Sequence, residues 1–217
     1  MITGLSALAE QGTYLYWHLK HLAPIRPMEA SRLMNTGQSA TLLEYKSRLV
    51  ALERRAVLLS QSKLRYPNAP DANLAIYKLL GSAALIQILL FLRDSPCSVP
   101  LCHILSSRMK EELEDAAASG REKLQAQFPE VMIWVILMGG MGSIGNAVTF
   151  DFFVRAFVSL ELNDNHDARG WDEAESALKE FMWFDVWEGP DAMVFWSQVA
   201  REQELGQGQG LLGDSSE

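Results

Sequence analysis

The sequence predicts an all-α fold, an irregular bundle of about seven to nine helices, on three observations. Apolar residues recur at three- and four-residue steps through most of the chain, proline and glycine stops punctuate those runs, and no stretch shows the β-branched alternation of a sheet. Hydrophobic residues make up 48% of the 217 and charged residues 21%, a composition able to bury a core.

The clearest helix is expected over 41–61. Leu42, Tyr45, Leu49, Leu52, Ala56 and Leu59 fall on one face, while Lys46, Arg48, Arg54 and Arg55 lie elsewhere on the wheel. The turn residues Tyr66–Pro70 precede a second helix over 71–94, with Asp71 placed as its cap and Ser95-Pro96 as its stop. From Leu79 to Leu92 it carries no charge, so it belongs in the middle of the bundle. Residues 101–127 read as a more exposed helix, with Lys110, Glu111, Glu112 and Glu114 clustered and Gly120 as a break. Pro129 starts the next helix, running to about Asn146, and a further one is expected over 150–162. Asn163–Gly170 is a polar loop. Trp171-Asp172-Glu173 opens a helix ending at Gly189-Pro190, and the last helix spans about 191–204 with Val194, Phe195 and Val199 on display. The domain organisation is then a helical or loop segment over 1–40, a helical domain over 41–205 and a low-complexity disordered tail over 206–217.

The charge pattern bears on partners. With 19 basic against 27 acidic side chains the net charge is -8, which repels a phosphate backbone, so direct specific DNA binding is not expected. MITGLSALAEQG has no basic n-region, so no secretory signal is expected and the thiols should stay reduced. No lysine- or arginine-rich import signal is readable. The uncharged run 131–150 is long enough to span a bilayer, but Gly139, Gly140, Gly142, Ser143, Gly145, Asn146 and Thr149 in its second half suit close helix packing, and no membrane span is expected.

No motif identifies a reaction, a cofactor or a metal. Gly140-Met141-Gly142-Ser143-Ile144-Gly145 matches GxGxxG, but no further strands follow to complete a dinucleotide-binding unit. The alternative is a helix whose glycines admit a close neighbour. The acidic loop 163–167 (NDNHD) offers oxygen ligands for a divalent ion, yet lacks the glycine expected of a calcium loop. Cys102 adjoins His103, but neighbours on a helix point about 100° apart and make no dyad. His18 and His21 stand at i, i+3 with no carboxylate or cysteine nearby to complete a site. A small helical enzyme or ligand-binding protein using the Gly139–Gly145 segment or the acidic loop is thus the second reading.

Three segments in succession carry a resemblance: LLFLRDSP (89–96), EVMIWVILMGGMGSIGN (130–146) and GWDEAESALKEFMWFD (170–185), followed by Val194-Phe195-Trp196. Over about residues 40–200 they resemble the carboxy-terminal regulatory region of fungal-specific, zinc binuclear-cluster transcription factors. The family's motif positions would be held by Leu92, Arg93 and Asp94; by Trp134, Leu137 or Ile136, Gly139 and Gly140; and by Trp171, Leu178, Phe181 and Trp183. The sequence departs from the pattern after the glycine helix, where Asp151, Phe152 and Phe153 replace an arginine and an aromatic pair. The six-cysteine cluster that family members carry near their amino terminus is not among these residues, so no DNA-contacting residue carries over. The resemblance implies a non-catalytic, nuclear regulatory domain with protein partners or self-association, and leaves any small-molecule effector open.

Overall fold

A computed structural model describes residues 10–22, 39–61, 71–93, 98–119, 121–160, 178 and 190–210. These form an all-α fold, with no strand among the described residues. The helices are α1 (Glu10–Leu22), α2 (Ser39–Ser60), α3 (Asp71–Gln87), α4 (Ser98–Ser119), α5 (Arg121–Gln127), α6 (Pro129–Gly142), α7 (Ala147–Val158) and α8 (Pro190–Gly210). A π-helical turn, Ile88–Leu92, continues α3.

The architecture follows from where charge is missing. Every residue of α6 from Val131 to Gly142 is buried, so this helix has no wet face and must be surrounded. It packs against α3 and α4 on one side and α7 and α8 on the other, with α5 at its amino end. Around that axis α2 packs on α3, α3 on α4, α8 on α7, and α1 lies across α2 and α3. On α2 the expected stripe is the buried one: Tyr45, Leu49, Leu52, Ala56 and Leu59 join the core and Leu42 is half-buried.

The structure shifts several boundaries. The stretch expected over 101–127, with Gly120 as a break, is two helices, α4 and α5, on either side of position 120, which lies outside the described residues, and it begins earlier than expected, at Ser98. Helix α6 stops at Gly142, not near Asn146, because Gly145 adopts φ +94° in the turn that follows, a conformation suited to glycine. Asn146 instead caps α7, its Oδ1 accepting the Thr149 amide at 3.4 Å. Helix α7 therefore starts at Ala147 and ends at Val158. On α8 Phe195 and Val199 are buried but Val194 is exposed, since consecutive helical residues cannot share one face. Helix α8 runs on to Gly210, so positions 206–210, expected to be disordered, have helical backbone; extending a formed helix costs less than starting one.

The expected features at Tyr66–Pro70, Asp94–Pro96, Cys97, the acidic loop 163–167, Trp171, Phe181, Trp183 and 211–217 lie outside the described residues. Among the described residues one helical stretch, Leu74–Leu92, is long and apolar enough to cross a bilayer, with mean hydropathy 1.9, and 61% of it is buried inside the protein. The 131–150 run is broken after Gly142 and leaves a helix of 14 residues, short of a span.

Candidate functional site

The described motif positions turn out to be parts of the interior and of one interhelical lock. Arg93 ends the π-turn; its amide donates to the Ile88 carbonyl at 2.8 Å and its guanidinium pairs with Glu53 of α2, Nη2 to Oε2 at 2.6 Å. Beside it the buried Tyr45 hydroxyl donates to the Leu92 carbonyl at 3.3 Å. Both contacts tie the carboxyl end of the α3 segment to α2. Trp134 is fully buried, and its indole N–H donates to Gln87 Oε1 at 3.0 Å. Leu178, the only described residue between 161 and 189, is fully buried in the same core.

The glycines of the GxGxxG string seat neighbouring side chains. A Cβ on Gly139 would stand 2.8 Å from Phe153 Cδ1, and one on Gly140 would stand 2.5 Å from Phe195 Cδ2. Gly142 lies against Ser106 and Ile86 in the same way. The close-packing reading of these glycines is therefore the one the geometry supports. A pyrophosphate would need bare backbone at a helix amino end, whereas Gly139, Gly140 and Gly142 lie buried at the carboxyl end of α6. Phe153 fills the space over Gly139.

The thiol and imidazole of the Cys102-His103 pair are engaged separately. Cys102 is buried, and burial pushes its thiol up to about 11, so little thiolate is present at neutral pH. His103 bonds to the Ile144 carbonyl at 2.8 Å, a contact in which the imidazole Nε2 donates. Among the described residues no group of three or more His, Cys, Asp or Glu side chains is placed to hold a metal.

What the sequence did not single out is the outward face of α1. Leu15, Tyr16, Leu19 and Leu22 point into the core, which turns Tyr14, Trp17, His18 and His21 the other way. Tyr14 is 40% and Trp17 51% exposed, high values for side chains this large. The rings are organised: Tyr14 and His18 lie with centroids 3.9 Å apart, Trp17 and His21 5.8 Å apart, and His21 Nδ1 donates to the Trp17 carbonyl at 2.7 Å. From α2, the Arg55 guanidinium lies over the Tyr14 ring at 4.2 Å. Burial, then Arg48, His21 and Arg55, hold the His18 imidazole below its ordinary value. Burial and cationic neighbours thus act together on His18, and such surroundings disfavour a metal ion. The spacing of 14, 17, 18 and 21 was readable as one helix face; its apposition to Arg48 and Arg55, a tertiary fact, was not.

No family model matches the chain, and neither a curated protein nor a solved structure matches it.

Proposed function

We propose that this chain is a non-catalytic, helical protein-interaction domain of the regulatory kind found in fungal transcription factors, acting in the nucleus without a DNA-binding module among these residues. The observation that carries the interaction part is the outward face of α1, where two large aromatic side chains stand exposed beside arginines. Tyrosine, tryptophan and arginine are enriched at protein interfaces: the two rings offer large contact area with little entropy to lose, and the guanidinium offers a planar fork of hydrogen-bond donors. The regulatory part rests on the succession of the three motif segments. Specific DNA binding is left to a partner or to another polypeptide segment, since the net charge of -8 opposes contact with phosphates.

The experiment fuses the chain to an unrelated DNA-binding module and reads a reporter gene carrying that module's site. A change in transcription, up or down, relative to the module alone is expected. An unchanged reporter, with the fusion shown to be nuclear and folded, overturns the regulatory reading.

A further inference from the structure

The cationic-aromatic face of α1 and α2 lies on two helices whose summed charge is opposite in sign to that of the whole chain. Helices α1 and α2 together carry five basic side chains (Lys20, Lys46, Arg48, Arg54, Arg55) and three acidic ones (Glu10, Glu44, Glu53), in a chain whose net charge is -8. Of the acidic residues, Glu53 is committed to Arg93 at the end of the π-turn and Glu44 pairs along its own helix with Arg48 at 2.5 Å. Arg48 remains 59% exposed in that pair, and an exposed i, i+4 pair is weak enough to be exchanged. Arg55 stands one heptad further along α2, on the same side, with its Nε buried and without a hydrogen-bond partner while its guanidinium covers Tyr14. The face therefore joins two arginines and two histidines to an exposed tyrosine and tryptophan.

Resting on the interaction-domain reading above, we propose that this face binds an acidic peptide segment of another protein. Carboxylates of the segment lie against Arg48 and Arg55, and its apolar side chains lie against Tyr14 and Trp17. Charge complementarity selects the occupant. A second copy joined by a twofold axis would set the basic face against itself, which like charges oppose. A second copy presenting the exposed acids Glu111, Glu114 and Asp115 of α4 would make a head-to-tail contact, which builds a ring or a filament rather than a dimer. A nucleic acid would bring charge along its whole length against a chain that is acidic elsewhere. A short acidic segment meets only the positive island, and its apolar residues use the rings that phosphates leave unused.

The test uses the full chain and a fluorescein-labelled peptide of about 14 residues alternating Asp or Glu with Leu or Phe, an ordinary length for a docked segment. Controls are the same peptide with Asn and Gln for the acids, and a single-stranded oligonucleotide of equal charge. The expected result is anisotropy-detected binding of the acidic peptide that weakens between about 50 and 200 mM salt, as for exposed charges. Binding should fall about tenfold or more, on the order of 1.4 kcal/mol or above, in Trp17→Ala, Arg48→Gln and Arg55→Gln, but not in Arg201→Gln on α8. Arg48 is largely exposed, so its substitution spares the fold, and circular dichroism verifies each variant.

Equal binding of the neutral peptide, equal or tighter binding of the oligonucleotide, or indifference to Trp17→Ala and Arg48→Gln overturns the proposal. So does absence of binding up to about 1 mM peptide, the weak end of useful affinity. Sedimentation showing self-association that the same substitutions abolish assigns the face to a second copy, and overturns it too. The same variants placed in the reporter fusion separate the two claims. A reporter response that survives them refutes the acidic-peptide face and leaves the regulatory reading standing, whereas a fusion that never responds refutes the regulatory reading.

Discussion

The indole N–H of Trp134 on α6 donates to Gln87 Oε1, 3.0 Å away at the junction where α3 gives way to its π-turn, and both residues are buried. This contact fixes a polar glutamine inside an apolar helix and aims it at the centre of the bundle. A buried amide oxygen that loses its donor bears the full desolvation cost. Trp134→Ala should therefore destabilise by about 3–5 kcal/mol through the cavity it opens. Trp134→Phe keeps most of the volume and should still cost about 1–3 kcal/mol, because Gln87 Oε1 is left without this bond. Pairing it with Gln87→Leu should recover part of that loss. Equilibrium urea unfolding checks the series, and equal midpoints for wild type and Trp134→Phe would show that the hydrogen bond contributes nothing.

A ring lies over each of two adjacent glycines in α6, Phe153 over Gly139 and Phe195 over Gly140. Gly140→Ala gains about 1 kcal/mol in helix propensity. It also pushes a methyl to 2.5 Å from Phe195 Cδ2, a ring held edge-on against Phe150 and Phe157 with centroids 5.9 and 6.0 Å away. Overpacking of about 1–3 kcal/mol should win, so the variant unfolds earlier. Phe195→Leu alone should also destabilise, but the double variant should be more stable than the two losses added, a coupling of about 0.5–3 kcal/mol. Strict additivity in thermal melts would mean that the ring does not rest on this glycine.

Gly81 poses the same question with no side chain able to yield. A Cβ there would lie 2.5 Å from the Ser60 amide nitrogen and 2.6 Å from the Ala56 carbonyl oxygen, both backbone atoms of α2. The two helices would have to separate, pulling apart the α2–α3 contact along with the Tyr45–Leu92 bond. Gly81→Ala should thus destabilise despite its better propensity, and Ala56→Gly should not rescue it, because the clash is with main chain. Rescue by that second substitution, read by denaturant midpoint, would refute the geometry.

Helix existence was legible because burial and period coincide: the stripe Tyr45-Leu49-Leu52-Ala56-Leu59 and the uncharged run after Glu130 each translate directly into a buried surface. Boundaries were less so. The turn at 143–145 depends on Gly145 at φ +94° and on Asn146 capping forward, while the sequence equally allowed Asn146 as the end of the preceding helix. The π-turn left no mark in composition, since Ile88–Leu92 is as apolar as the helix before it; it shows only in the backbone, where the Arg93 amide donates to the Ile88 carbonyl five residues back. Of the motif positions, Trp134, Gly139 and Gly140 were recognisable as residues that pack, but their partners Gln87, Phe153 and Phe195 are 47, 14 and 55 positions away in sequence. The α1 face shares that limit: four ring-bearing residues have helical spacing, and the arginines beside them come from another helix.

Cys102 should be inert in the folded protein. Burial raises its thiol to about 11, so at pH 8 only about one molecule in a thousand carries thiolate, and the sulfur is also screened from reagent. In a Cys97→Ser background, Ellman's reagent should release no colour from the native chain and one equivalent after urea. Prompt native reaction would place Cys102 at an accessible surface.

The last prediction concerns pH and His18. Burial and the nearby Arg48, His21 and Arg55 disfavour the imidazolium in the folded state, so the folded value lies below the unfolded one of 6.5. The unfolded chain then binds more protons in the window below 6.5, and unfolding takes up a proton there. The sign follows: the neutral imidazole costs nothing above that window, and stability falls as pH drops through 6.5 toward the folded value. The Tyr14 ring, 3.9 Å away, offers no charge, and Glu44 is occupied with Arg48, so neither reverses the sign. His18→Gln should flatten this part of the profile without lowering stability at pH 8, where the wild-type ring is already neutral. Urea midpoints measured from pH 8 to pH 5 for both chains decide it. A wild type that grows more stable on acidification, or a His18→Gln profile parallel to it, would show that the arginines beside His18 do not act on it as the geometry requires.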